Sequence, residues 1–418
     1  MLNKSTGPRR VVVTGYGAIT ALGLNSTDNW ASVMEYRLGY RYVDRKSAGI
    51  QSCFYGLVEQ ELNIKFLPAQ IRRRIPRFAQ LGIVAAKEAV EMAFGDQQPT
   101  DIYPSLDCGV VIGTGWGGMD ETLANHADYN ATGIASLFGC FNSMPNVATA
   151  GASQFWNLRG YQNTPVAACA TGTIAIGDAF TAIRDGRATM MLAGGAESLL
   201  SDFAVWDIDI LSALTSEQAD ITKASCPFSL DRNGFVLSEG AAVLCLEERD
   251  AAISRGATIL GEISGYGNYS DAYDFTSPAQ DKVARVATIN TALAQAGLSS
   301  ADIDYINAHG TSTQLNDLNE SEAIEMAVGT EIPVSSTKGY SGHLIAAAGS
   351  FEAIICLKTL KHQIMPATCH LTNRDPACHL DYISEGHRPA KIQHTLNLSF
   401  GFGGANAAII ISRESSCF

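Results

Sequence analysis

One arrangement occurs twice in this chain and constrains its fold more than any other feature. A short apolar strand runs into a glycine-bearing turn, and an alanine-rich helix follows at once. The order appears across 165–185 and again across 333–361. Each half also carries a glycine-flanked strand, VVVTGYG at 11–17 and ILGEISGYG at 259–267. Buried strands alternating with helices predict an α/β fold with mixed sheets. The repetition predicts two pseudo-equivalent halves, 1–257 and 258–418, in a chain whose 418 residues exceed what one compact core comfortably organises.

Seven short apolar runs read as buried strands: 10–15, 108–113, 190–194, 241–246, 304–308, 395–399 and 407–412. Helices are predicted over 76–94, 174–185, 283–296 and 344–362, with Gly186 and Gly297 stopping the second and third. The stretch 128–154 is poor in charge and rich in Gly, Ser, Asn and Ala, which reads as an insertion packed on the core or on a partner subunit. The opening MLNKSTGPRR precedes an apolar run, but Gly15, Gly17 and Gly23 interrupt it, so strand and turn fit better than a signal peptide. No run approaches ~18 unbroken apolar residues, so no membrane span is expected.

A net charge of −13 argues against broad binding to nucleic acid or an anionic membrane, since both need a positive surface. The ten cysteines are scattered, with no Cys-x-x-Cys pair, so neither a structural zinc site nor a disulfide framework is expected. They read as reduced thiols of a cytoplasmic protein, mostly filling the core.

Four stretches hold residue types suited to chemistry. In PVAACATGTIAIGDA an apolar strand meets Cys169, and a helix begins just beyond it. Unpaired N–H groups at a helix start favour a thiolate by ~0.3–1 kcal/mol, so Cys169 is either an activated nucleophile or one more buried thiol. In YINAHGTST a strand ends at His309, followed by glycine and hydroxyls. That histidine either faces a cleft or is bonded within the core. In SSTKGYSGHLIAAAGSFE, His343 precedes an alanine-rich helix much as Cys169 does. Lys338 lies there among small apolar residues, and Glu352 on the following helix is its candidate ion-pair partner. In NLSFGFGGAN a glycine-rich turn around Phe400 and Phe402 either brings backbone N–H groups to a substrate as half of an oxyanion hole or forms a plain bulge.

Rival motifs fail. Gly15-Tyr-Gly17 has two of the three glycines of a dinucleotide fingerprint, and no Gly-Lys-Ser/Thr phosphate loop exists. The histidines at 362, 370, 379, 387 and 394 lack metal-ligand spacing and read as surface residues.

Taken together, ACATGT, NAHGTST, SSTKGYSGH and SFGFGGAN, in this order, closely resemble the β-ketoacyl-acyl-carrier-protein synthases of the type II, elongating branch. SCPFSLDRNGFVLSEGAAVLCLE at 225–247 and SDAYDFTSP at 270–278 match as well, so the resemblance covers nearly the whole chain. It implies a thiolase fold, with two similar halves stacked as five α-β-α-β-α layers and a dimer as the working unit. It also implies decarboxylative condensation of an acyl group with malonyl carrier protein, with Cys169 as nucleophile and neutral His309 and His343 as N–H donors to the enolate. The resemblance further implies that Lys338, with Glu352, supports decarboxylation. By the same resemblance, the backbone of Cys169 and Phe400 is expected to form the second oxyanion hole, with Phe400 as the gate. Thr311 and Thr313 match the family positions that contact the pantetheine arm, and Phe402 is expected to line the substrate site. No metal or redox cofactor is implied, the substrates being carried on phosphopantetheine. A thiolase would need a second cysteine in the glycine turn, which SFGFGGAN lacks.

Carrier proteins are acidic, and Arg72, Arg73, Arg74 and Arg77 lie where the family docks them; a solvated helix face is the plainer alternative. Trp116, in GTGWGG, stands where elongating enzymes carry a smaller residue at the acyl pocket. It either shortens that pocket or packs in the core. The expected partners are an acyl carrier protein and either a second copy or a homologous chain-length subunit. The expected role is in a specialised type II polyketide or secondary-metabolite pathway, with housekeeping fatty-acid elongation as the alternative. A non-catalytic chain-length subunit is a remote third, because such subunits lack the nucleophile.

Overall fold

The computed structural model describes residues 8–414; the first seven residues and the last of the ten cysteines, Cys417, lie outside them. Ten strands form one mixed sheet. They are β1 (Val11–Thr20), β2 (Cys108–Gly113), β3 (Gln162–Asn163), β4 (Met190–Glu197), β5 (Gly240–Glu248), β6 (Gly261–Ser270), β7 (Tyr305–Asn307), β8 (Val334–Ser335), β9 (His394–Gly401) and β10 (Ala405–Ser412). Their order is β8-β7-β9-β10-β6-β1-β5-β4-β2-β3.

That order is the same pattern written twice. Outward from the centre, the first half runs β1-β5-β4-β2-β3 and the second β6-β10-β9-β7-β8. The pairing senses repeat too. The inner two pairings are antiparallel and the outer two parallel in each half. The halves meet where β1 pairs antiparallel with β6, Val11 opposite Ile263 and Val13 opposite Gly261.

The main helices are α1 (Arg77–Phe94), α2 (Met119–Thr132), α3 (Val147–Trp156), α4 (Thr171–Arg184), α5 (Val283–Ala296), α6 (Gln314–Val328) and α7 (Ala348–His362). In α7 every residue from Ala348 to Leu360 is buried, including Glu352 and Lys358. A helix buried on all faces belongs at the centre of a layered fold. It packs against α4, whose buried face is nearly as complete. Their first turns come very close. A Cβ added to Gly349 would lie 2.1 Å from Thr173 Oγ1, and one added to Gly172 would lie 2.7 Å from the Ala346 carbonyl. Only glycine lets the two helix starts interlock this tightly.

Each of these helices is entered through a tight 3-10 turn, Ala168–Ala170 before α4 and Ile345–Ala347 before α7. Both turns begin on a non-glycine residue with positive φ, Ala168 at 45° and Ile345 at 49°. For a β-branched residue such a φ is strained, and such strain collects at functional sites.

The predicted helices occur with small end corrections: the one expected at 174–185 already begins at Thr171, directly after its 3-10 turn, and the one expected at 344–362 begins only at Ala348, because the chain enters through the turn at Ile345–Ala347. The 128–154 stretch falls across α2, a short helix at Gly139–Asn142, and α3. Ile134 and Leu137 in it are 74% and 93% exposed, whereas Val147, Ala148 and Ala152 at its end are buried in the core against α1. The nine described cysteines are free thiols, and Cys140 alone among them is exposed. Of the five histidines expected on the surface, His370, His387 and His394 are half-buried, and His387 stacks on Tyr36 at 4.4 Å between ring centroids. No helix among the described residues is long and apolar enough to cross a membrane.

Candidate active site

Three elements distant in sequence converge on one cavity of about 280 Å³. The turn before α4 brings Cys169, the loop after β7 brings His309, and the loop before α7 brings His343. The Cys169 sulfur and one ring nitrogen of each histidine lie within 4.8 Å of one another. The two imidazoles meet edge to face, with centroids 5.4 Å apart and planes at 80°.

Neighbouring hydrogen bonds assign the tautomers. The Ile345 N–H donates to His343 Nδ1 at 3.2 Å, so that nitrogen accepts and Nε2 carries the proton. Lys338 Nζ lies 3.3 Å from His309 Nδ1 and donates to the His309 carbonyl at 2.6 Å. An ammonium has only donors, so His309 also carries its proton on Nε2. His343 Nε2 is buried and has no protein acceptor among the described residues. A buried N–H left without a partner is costly, and here it points into the cavity where a substrate oxygen would satisfy it.

Both rings are neutral. Burial, then the Lys338 charge, holds each well below the ordinary histidine range, and His343 and Arg285 add to the effect on His309. The ammonium itself is matched by Glu352, with which it forms a buried ion pair. Burial pushes the Glu352 carboxyl up to about 7 against the pull of Lys338.

The cysteine departs from expectation. Burial pushes its thiol up to about 11, although Lys338 and the backbone N–H groups of Phe402 and Cys169 pull the other way. Desolvation outweighs the helix-terminus effect, so the resting group is a thiol and not the thiolate that the helix start suggested. The second correction concerns the oxyanion donor. The backbone N–H at the sulfur is that of Phe402, not Phe400. Phe400 stands opposite Asn406 in the β9–β10 ladder, and its ring is buried 6.2 Å from that of His309. Phe402 lies in the turn just beyond the strand, half-buried, and both Phe400 and Phe402 line the cavity.

Thr311 and Thr313 line the same cavity, their hydroxyls 2.8 Å apart. Trp116 does not line it; that side chain is 37% exposed, and its backbone N–H reaches the buried Glu197 at 3.5 Å. The arginines separate. Arg72 and Arg73 border a shallow surface site with Ile64 and Ala69. Arg74 stacks over Phe138 and Phe141 at 6.0 and 5.5 Å. Arg77 is withdrawn from docking, because its guanidinium grips buried Glu239 at 2.6 and 2.7 Å and donates to the Val58 carbonyl.

Two residues were missed in the sequence. Glu320, on α6, accepts from the His309 and Gly310 N–H groups at 2.6 and 2.7 Å and so holds the histidine loop. Arg285, on α5, lines the cavity. A signal for it existed: Arg285 shares the stripe of Ile289 and Ala292 at helical spacing, and a cation on an apolar stripe asks for an explanation. The three ligand atoms of Cys169, His309 and His343 stand close enough for a metal ion, but the Lys338 ammonium against His309 opposes a second cation there.

Among known proteins, the family described as beta-ketoacyl synthase, N-terminal domain, matches residues 8–252, and its C-terminal domain counterpart matches 260–372. A 3-oxoacyl-[acyl-carrier-protein] synthase 2 of Synechocystis is 36% identical, with 97% of this chain and 98% of that protein covered. A solved complex of a type II PKS acyl-carrier protein with its ketosynthase bound to the hexaketide superposes with a TM-score of 0.87 at 31% identity, covering 97% of this chain and all of that one. The ishigamide ketosynthase/chain length factor gives 0.88 at 27%, covering 98% and 100%.

Proposed function

The chain belongs to the beta-ketoacyl synthase family, acyltransferases of thiolase fold that form carbon–carbon bonds, and on that footing we propose that it condenses an acyl group held on Cys169 with malonyl-acyl carrier protein to give a 3-oxoacyl-acyl carrier protein. The observation that carries this reading is the unpartnered His343 Nε2–H beside His309 in the cavity that holds the Cys169 sulfur.

Cys169 takes the acyl group from a carrier-protein thioester, its proton passing to the departing thiol. The N–H groups of Cys169 and Phe402 receive the oxyanion. Malonyl thioester then enters past Thr311 and Thr313. Neutral His309 and His343 donate to its thioester oxygen, and loss of carbon dioxide leaves the electron pair in an enolate under those two donors. The enolate carbon attacks the acyl carbon, and the Cys169 sulfur leaves as a thiolate that takes up a proton from solvent to restore the resting thiol. Lys338 holds the His309 tautomer through both steps, and Glu352 balances its charge. This chemistry calls for no metal or redox cofactor; the phosphopantetheine arm carries the substrates.

The pathway we assign is a specialised type II polyketide or secondary-metabolite one. The partner would be a carrier protein together with a homologous chain-length subunit, in the cytoplasm. The solved ketosynthase complexes support that reading. The second reading is fatty-acid elongation by a homodimer, which the 36% identity to a 3-oxoacyl-[acyl-carrier-protein] synthase 2 favours. Incubation with acyl and malonyl carrier proteins, followed by mass spectrometry, tests the chemistry: an acyl adduct on Cys169 and a product two carbons longer are expected. An adduct elsewhere, or none, overturns it. Co-purification with a homologue lacking the cysteine separates the two pathways.

A further inference from the structure

Arg285 is 5% exposed, sits in the first turn of α5 and lines the catalytic cavity. Its Nε and Nη1 are buried with no acceptor among the described residues. No carboxylate among those residues forms an ion pair with it, although three lie in its vicinity and each is already engaged. Both oxygens of Glu320 accept from the His309 and Gly310 N–H groups. Asp271 accepts from Asn406 Nδ2 at 2.7 Å and the Ala279 N–H at 3.2 Å. Asp317 accepts from the Phe228 N–H at 2.9 Å and faces Arg232 at 3.9 Å. The guanidinium instead lies over Phe400, 4.1 Å from the ring centroid, and Phe400 abuts His309. Burial draws its pKa down to about 10, still leaving it charged at neutral pH.

A buried, charged fork with unused donors on a substrate cavity is an incomplete ion pair. Its position says what completes it. Through Phe400 the guanidinium stands beside His309, on the wall of the cavity in which the proposed reaction sets the extender under His309 and His343. We propose that Arg285 is the receptor for the carboxylate of the malonyl thioester, selecting the extender unit over an uncharged acyl thioester after Cys169 is loaded. This rests on the condensing function proposed above.

The contact belongs to the ground state. When the carbon–carbon bond breaks, its electron pair moves to the enolate oxygen under His309 and His343, and the carboxylate departs as neutral carbon dioxide. Arg285 then has no partner, so its contribution goes to binding and not to the chemical step.

The test pairs variants with a measurement on the unaltered enzyme. Arg285→Met is expected to raise KM for malonyl carrier protein more than tenfold with kcat held or increased, while the rate of Cys169 acylation moves less than twofold. Arg285→Lys is expected to restore part of the loss. On the unaltered enzyme, the methyl ester of malonyl-S-pantetheine, which lacks the charge, is expected to bind at least tenfold more weakly than the free acid. Equal binding of acid and ester, or an unchanged malonyl KM in a folded variant, overturns the assignment while leaving the condensing function intact. Failure of the unaltered enzyme to acylate Cys169 would instead remove the function on which it rests.

Discussion

The side-chain nitrogen of Lys338 lies 3.3 Å from Nδ1 of His309 and 2.6 Å from the carbonyl oxygen of the same residue. One ammonium thus sets both the tautomer of the imidazole and the path of its loop, and it depresses the proton affinity of both catalytic rings.

Lys338→Met removes that donor and leaves the Glu352 carboxylate buried alone, a change expected to cost about 3–5 kcal/mol. Malonyl decarboxylation should fall by about 10²–10⁴, the usual scale for a misplaced acid–base group. Carbon dioxide release and thermal unfolding on the same sample measure both effects.

Cys169→Ala separates the two half-reactions. No acyl adduct and no condensation are expected. Slow decarboxylation of malonyl carrier protein should persist, because the histidine donors do not depend on the sulfur. Retention of condensing activity in this variant would contradict the nucleophile assignment.

The pH dependence of thiol reactivity follows from the raised Cys169 pKa of about 11. Below that value the thiolate fraction grows about tenfold per pH unit, and thiolate is the form that alkylates. Iodoacetamide labelling of Cys169 should therefore climb with near-unit slope from about pH 7 to 9, with no plateau. The histidine pKa values are depressed, so their donor protons stay in place over this range and the histidines stay neutral.

Gly349→Ala would set a methyl group 2.1 Å from Thr173 Oγ1 and 2.7 Å from Ser399 Oγ. Pushing α4 from α7 is expected to cost about 1–3 kcal/mol, the range for overpacking a tight interior. It also shifts the turn that carries Cys169. Stability in chemical denaturation and acylation rate should fall together.

Arg77→Ala and Arg73→Glu should part company. Loss of Arg77 strands Glu239, which is 2% exposed. The expected destabilisation is at the lower end of about 3–5 kcal/mol, since the Arg77 side chain is 32% in water. Arg73→Glu should leave unfolding within about 0.5 kcal/mol and raise KM for the carrier protein, more so at low salt. Denaturation curves and steady-state kinetics distinguish the two.

Much of the site was readable because its chemistry is written in contiguous blocks. A strand, a small-residue turn and a helix start locate Cys169 and His343 by local pattern, and the duplicated order reappears in the sheet as two copies of one strand sequence. Nearest-neighbour propensities and periodicity decide such features, and they are present in any short window of the chain. The remainder came from pairings that no window contains. Arg77 meets Glu239 across 162 positions, which turned an expected docking cation into a structural one. The position of Phe402 and not Phe400 at the sulfur depends on where the β9–β10 ladder ends and the turn begins. The raised thiol pKa depends on how completely water is excluded, a property of the packed layers and not of the helix start. Arg285 gained its meaning only when folding set it on the cavity wall with every nearby carboxylate already engaged.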